Sequence, residues 1–297
     1  MRISCSSLFV WEYPLCDIMD IMLQAGIKSV EFWAETPFFW MMRNDEACIS
    51  ELKKAISIMP QGCTLHAPVM DLNPSSYNDL VHEASISETL WSIELGKSVG
   101  ARVVTIHPGK RTAHRKPTDE DWKKFERYLE ICLEKAKSMN VNLSLENSMP
   151  GVQSMCSNPV EMKEVLDKFP GLFFTFDVVH AFLNSRNTAL AFIDELGDKI
   201  INVHVGAAHN GKPHYPAHYE KKMEIVLQRL CDTGYNGDLT IEIDDKTFPV
   251  QLSREDKIIE LIREREYLES IFRKKNTELI RTETNSGNMS SYGVRTS

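Results

Sequence analysis

NLSLENSMPGVQSMCSNPVEMKEVLDKFPGLFFTFDVVH, residues 142–180, reads as one strand–helix–strand unit. Its two short strand-like runs, NLSLE and FFTFD, each end on a carboxylate, Glu146 and Asp177, and the segment between them carries helical periodicity. The same arrangement recurs outward on both sides. Upstream, CTLH ends on His66 and VVTIH on His107; downstream, INVHV carries His204 and LTIE ends on Glu242. Six ligand-type side chains at the C-terminal ends of six successive runs are what parallel strands produce when they deliver their tips to one shared site. The pattern predicts a barrel whose top face holds metal.

Eight such units are counted, with strands expected at about 2–6, 28–33, 62–67, 102–107, 141–146, 172–177, 200–205 and 238–243. Helical stripes lie between them, among them Leu15, Ile18, Met19, Met22 and Leu23, then Trp122, Phe125, Leu129, Cys132, Leu133 and Ala136, then Met223, Val226, Leu227 and Leu230. Alternating strands and helices imply parallel pairing with right-handed crossovers, and eight units allow closure into a single (β/α)8 barrel with no exposed edge. Gly in AGIKSVEF, VGARVVTI and TGYNGDLTI suits left-handed helix caps before strands. A last helix at about 253–273 closes the domain, taken as residues 1–273. The polar segment 274–297, rich in Ser, Thr and Asn, is expected to be a mobile tail.

A length of 297 residues suits one barrel of roughly 250 residues plus additions. No apolar run approaches the roughly 20 residues of a membrane span, and the N-terminus reads as a first strand rather than a signal peptide. Seven cysteines without a CxxC pair fit reduced thiols in the cytoplasm. A net charge of −8 disfavours nucleic acid as a partner, because such binding draws its affinity from neutralised phosphates. A small-molecule substrate is the expected partner.

LHAP at 65–68, IHPG at 106–109, LEN at 145–147, FDVVHA at 176–181, VHV at 203–205 and IEI at 241–243 stand in an order and spacing that resembles the xylose isomerase-like TIM-barrel superfamily. That superfamily includes sugar and sugar-phosphate isomerases and epimerases and also endonuclease IV. In the isomerase branch the resemblance implies one divalent metal held by Glu146, Asp177, His204 and Glu242, with Glu146 and Glu242 as the catalytic carboxylates that remove and return a proton beside a carbonyl. Three carboxylates and an imidazole suit Mn²⁺, Mg²⁺ or Co²⁺ and do not exclude Zn²⁺. In the endonuclease branch, His66, His107 and Glu146 match a first zinc site and the quartet a second. His180 and His214 fit the third, where Lys212 stands in place of an expected Asp, so that third site reads as damaged. Related barrels commonly associate, so a homo-oligomer is also an expectation.

Taken singly, each residue has a plainer reading: a histidine or acid at a strand end caps a helix or hydrogen-bonds in a polar cleft. Four buried polar groups converging without a cation are costly, which favours metal for the quartet. His66, His107, His180 and His214 are candidates for a second metal or for substrate. Glu31, in VEFW, is read as a substrate contact or a solvated loop acid. Lys110 and Arg111, in KRTAHRK, and Lys212 are candidates for a substrate phosphate, against the alternative of solvated charge. The cluster Phe38, Phe39, Trp40, Met41 and Met42 is read as a lid, a subunit contact or ordinary packing. These features favour a metal-dependent isomerase or epimerase of a sugar, sugar phosphate or hydroxy-keto acid. The alternatives are a zinc phosphodiesterase acting on abasic DNA and a non-catalytic metabolite-binding barrel.

Overall fold

Each of the eight expected strands forms in the computed structural model, which describes the backbone of residues 1–287 and the side chains of residues 1–272. In chain order the strands are β1 (Arg2–Ser6), β2 (Ser29–Trp33), β3 (Cys63–His66), β4 (Val103–Ile106), β5 (Asn142–Glu146), β6 (Phe173–Asp177), β7 (Ile200–Val205), β8 (Ala207–His209), β9 (Lys212–Tyr215) and β10 (Asp238–Ile241). β8 and β9 form a separate antiparallel hairpin, and the other eight close a parallel barrel in the order β1-β10-β7-β6-β5-β4-β3-β2. The helices are α1 (Leu15–Gln24), α2 (Pro37–Trp40), α3 (Glu46–Ser57), α4 (Asp79–Val99), α5 (Asp119–Met139), α6 (Pro159–Lys168), α7 (Val178–Asn184), α8 (Arg186–Leu196), α9 (Glu224–Asp232) and α10 (Arg254–Gly287).

Local chemistry sets these boundaries. Thr118 and Asp121 form a capping box that starts α5, and Asn140, in the left-handed region at φ 53°, ends it. Asn158 accepts from the Glu161 amide ahead of Pro159, the first residue of α6. The expected apolar stripes face inward: Ile18, Met19 and Met22 of α1, Phe125, Leu129 and Cys132 of α5, and Val226 and Leu227 of α9 are fully buried. α10 continues to Gly287, beyond the boundary expected at 273. The expectation of a mobile tail falls partly on residues 288–297, which lie outside the described residues.

Inside the barrel the chain is polar. Thr64, Thr105, Ser144, Thr175, Asn202 and Thr240 are all fully buried, and each stands two residues before one of the six ligand-type side chains. Because side chains two apart on a strand share a face, this hydroxyl and amide floor lies directly beneath the ligands. It is hydrogen-bonded within itself: Thr175 donates to Ser144 at 2.7 Å, and Thr240 to Asn202 Oδ1 at 2.9 Å. The opposite end of the barrel is closed by Asp238, which accepts from Arg2 Nε at 2.9 Å and Arg102 Nη2 at 2.8 Å. All seven cysteines are free, and no helix among the described residues is long and apolar enough to cross a membrane.

Candidate metal centre

Strand register brings the predicted quartet together. Glu146 and Asp177 end β5 and β6, His204 is the penultimate residue of β7, and Glu242 follows β10 with its amide donating to the Val205 carbonyl at 2.8 Å. One ligand atom from each lies within 4.8 Å of the others, and all four side chains are buried. His204 Nδ1 stands 2.8 Å from Glu242 Oε2 and 3.2 Å from Glu146 Oε2, yet these are close approaches without hydrogen-bond directionality. Glu146 Oε2, Asp177 Oδ2, His204 Nδ1 and Glu242 Oε2 are thus all buried without a hydrogen-bond partner. Four orphaned donor atoms aimed at one point fit a cation, which satisfies them together.

The motif residues beside the quartet orient it. Asp177 caps α7, accepting from the His180 amide through Oδ1 at 2.7 Å, and this leaves Oδ2 turned to the centre. Asn147 clamps the Asp177 backbone from both sides, donating to its carbonyl at 3.0 Å and accepting from its amide at 2.8 Å. Burial works against the charged form of each group, and charge pairing overrides it at three of them. Burial would push the Glu146 carboxyl up, but His107 and His204 hold it well below the usual range. Glu242 is likewise lowered against burial, chiefly by His204 and His214, while burial raises Asp177. His204 is raised well above its ordinary value by Glu242, Glu31 and Glu146 despite burial.

A second group, His66, His107 and Glu146, forms beside the first. His66 Nδ1 is 2.8 Å from the Ala67 carbonyl and so carries the proton, leaving Nε2 as an acceptor. That Nε2 faces His107 Nε2 at 3.0 Å, and both face Glu146 Oε2, at 3.5 and 3.0 Å. Two imidazole nitrogens and a carboxylate converging on one point require a cation or a shared proton.

A third group, Asp177, His180 and His214, also lies together, but its carboxylate is the one already shared with the quartet, and Lys212 stands where an additional Asp was expected. His180 Nδ1 lies 2.9 Å from the Asn147 carbonyl, and nearby Asp177 and Glu146 raise its pKa to about 10 against the effect of burial. His214 comes from the β8–β9 hairpin, stands edge-on to His180 with ring centroids 5.4 Å apart, and holds a left-handed backbone at φ 62°.

The cavity above these groups has a volume of about 510 Å³ and runs from Glu242 and His214 past His66 and His107 toward the loops after β3, β4 and β5. Lys110 lines it; Arg111 and Lys212 do not. Arg111 turns to the Lys116 carbonyl at 2.9 Å and toward Asp121 at 3.7 Å, so it anchors its own loop instead of meeting a phosphate. Lys212 is exposed on the hairpin. Glu31 is neither solvated nor at the mouth: it is fully buried beneath the quartet, bonded to Thr64 and Asn202. β2 continues to Trp33, whose partner is His66, and Glu31 pairs with Thr64 two residues lower. Trp33 therefore reaches the cavity, a role that the sequence reading misses although VEFW places it on the same face as Glu31. In the aromatic cluster Phe39 packs edge-on against Phe32, while Phe38, Met41 and Met42 are exposed and lie outside the cavity lining, so packing and surface are both represented and a lid over this cavity is not.

Comparison with known proteins agrees with this architecture. The Methanocaldococcus jannaschii protein MJ1188 is 39% identical over 277 residues, covering 91% of this chain and 99% of its own. The solved structure of a D-tagatose 3-epimerase-like protein superposes with a TM-score of 0.74 at 22% identity, covering 94% of this chain and 100% of that one. An L-ribulose 3-epimerase structure superposes at 0.75 with 18% identity, covering 94% and 97%. At these identities the two structures bear on the fold alone. The family described as xylose isomerase-like TIM barrel matches residues 19–270, most of the barrel and every ligand group in it. The chain belongs to the xylose isomerase-like TIM barrel family.

Proposed function

We propose that this chain is a divalent-metal-dependent isomerase or epimerase of a small hydroxy-carbonyl substrate of sugar type. The observation that carries the reading is the pair Glu146 and Glu242: both line the cavity and both have an unpartnered carboxylate oxygen, 3.2 and 2.8 Å from His204 Nδ1. The quartet would hold the cation, with a donor set that suits Mn²⁺, Mg²⁺ or Co²⁺ and admits Zn²⁺. When bound, that cation polarises the substrate's carbonyl and neighbouring hydroxyl, which acidifies the C–H between them.

The chain's own residues supply the rest. Neighbouring histidines hold Glu146 and Glu242 in the ionised form, so each has a free lone pair for a proton, and drawing those histidines to the cation would relax the lowering and strengthen both as bases. The two carboxylates come from strands three steps apart around the barrel, and in this reading one takes a proton from a face of the bound carbon while the other returns it to the opposite face. Trp33 and Leu8 give the cavity an apolar wall, and Lys110 offers a cation at its outer end. The two superposed structures, a D-tagatose 3-epimerase-like protein and an L-ribulose 3-epimerase, support this chemistry by analogy.

A competing reading has one specific observation in its favour: the ligand-type side chains fall into three adjoining groups that share Glu146 and Asp177, the kind of clustering a zinc phosphodiesterase uses. The −8 net charge weighs against a DNA substrate. One experiment separates the two. The metal-loaded protein is incubated in D₂O with a panel of ketoses and ketose phosphates, and in parallel with an abasic duplex. Deuterium entering beside the carbonyl, lost in metal-replete Glu242→Gln, is the expected result. Incision of the duplex without exchange into any sugar would refute the isomerase assignment.

A further inference from the structure

Beneath the quartet lies a buried carboxylate with a defined set of neighbours. Glu31 Oε2 accepts from Asn202 Nδ2 at 2.7 Å and from Thr64 Oγ1 at 3.0 Å, and Asn202 Oδ1 in turn accepts from Thr240 at 2.9 Å. Glu31 Oε1 stands 2.8 Å from His204 Nε2, on the side of the ring away from the cavity. Glu31, Asn202 and His204 are all fully buried.

We propose that Glu31 is a positioning residue: it fixes a proton on His204 Nε2 and thereby leaves Nδ1 free to face Glu146, Asp177 and Glu242. This rests on reading the quartet as a metal site. For the neutral ring, the form that a cation binds, two arrangements compete. In one, His204 Nε2 is bare and accepts from Asn202 Nδ2, which lies 3.2 Å away. That leaves Glu31 Oε1 facing a lone pair at 2.8 Å with no proton between them, inside a fully buried site. In the other, Nε2–H points to Glu31. This approach lacks hydrogen-bond directionality, yet it sets a proton instead of a lone pair against an otherwise isolated buried carboxylate oxygen. The second arrangement wins. A histidine ligand whose far nitrogen donates to a carboxylate has its tautomer and ring orientation fixed before the metal arrives.

The network also determines what a substitution does. In Glu31→Gln the oxygen must occupy the Oε2 position, where Asn202 and Thr64 both donate, so the new NH₂ points at His204 Nε2. The ring must then accept there and carry its proton on Nδ1, where the cation would bind. Adding Asn202→Asp reverses the amide: the carboxylate introduced by that second change accepts from the Gln NH₂ and from Thr240, and the Gln oxygen returns to face His204. The double variant restores the original net charge.

The test measures Mn²⁺ and Zn²⁺ affinity for the wild type, Glu31→Gln and Glu31→Gln/Asn202→Asp, with ¹⁵N-histidine NMR to locate the His204 proton and circular dichroism to confirm folding. Binding is expected to weaken about 10–100-fold in the single variant, with the proton moved to Nδ1, and to recover by at least about tenfold in the double variant. Unchanged affinity in the folded single variant, or a double variant no better than the single, would overturn the proposal. A wild type that binds no cation would remove the metal reading and the function above. The tautomer of His204, read at a pH where the ring is neutral, would still decide the role of Glu31: a proton on Nδ1 in the wild type would overturn it.

Discussion

Metal binding should expel protons, and the count can be worked from the site. In the metal-free protein Glu242, Glu31 and Glu146 shift His204 toward its protonated form against the effect of burial. A cation coordinates only the neutral ring, so filling the quartet releases one proton, the one on Nδ1. Filling the third group releases a second, from His180, whose pKa is raised to about 10. Each proton released makes apparent affinity rise about tenfold per pH unit, about 1.4 kcal/mol, until the pH passes the folded pKa. Calorimetric titration of Mn²⁺ at pH 7.5 in phosphate and in Tris, whose ionisation heats differ, gives the number directly. We expect about one proton for the first ion. Release of none, or affinity independent of pH between 7 and 8, would refute the account of His204. The same shifts fix a stability trend. A histidine raised in the folded state contributes stability that is complete below about pH 6.5 and lost as pH climbs through the folded value. The metal-free melting temperature should therefore fall between about pH 7 and pH 10, and the metal-loaded one should change less.

Two substitutions probe the supports of the site. A Cβ added at Gly109 would lie 2.0 Å from Ser75 Oγ and 2.7 Å from the Ser75 amide nitrogen, so Gly109→Ala must push apart two loops that line the cavity. It should cost about 1–3 kcal/mol in chemical denaturation and raise KM while metal stoichiometry stays unchanged. Asp238→Asn removes the charge between Arg2 and Arg102 at the far end of the barrel; because both arginines are partly solvated, the cost is discounted to about 2 kcal/mol, or roughly 4–8 °C in Tm, with metal affinity unaffected.

The barrel and its ligand quartet are legible because both depend on a local pattern: short β-prone runs, helical stripes between them, and a ligand at each strand end. What escapes the sequence depends on register or on loop geometry. Glu31 reads as a residue near a strand end, where a solvated acid or a substrate contact is reasonable. Its true depth follows from pairing with Thr64 while Trp33 pairs with His66, a fact of neighbouring strands that no single strand reveals. The β8–β9 hairpin is not anticipated although Asn210-Gly211 is a strong turn signal, and both residues adopt positive φ, 50° and 75°. That hairpin delivers His214 to the side of His180 and Asp177. Arg111 looks available from its place in a basic run, but its partner Asp121 lies on the next helix, where the capping box fixes it.

Crystals of the full chain soaked with Mn²⁺ and measured at the manganese absorption edge would test the central claim most directly. The account predicts an anomalous peak enclosed by Glu146 Oε2, Asp177 Oδ2, His204 Nδ1 and Glu242 Oε2, each at about 2.0–2.3 Å, in the wild type and a much weaker peak in Glu242→Gln. Four side chains still converging at saturating Mn²⁺ with no peak between them, or a peak coordinated elsewhere, would contradict it.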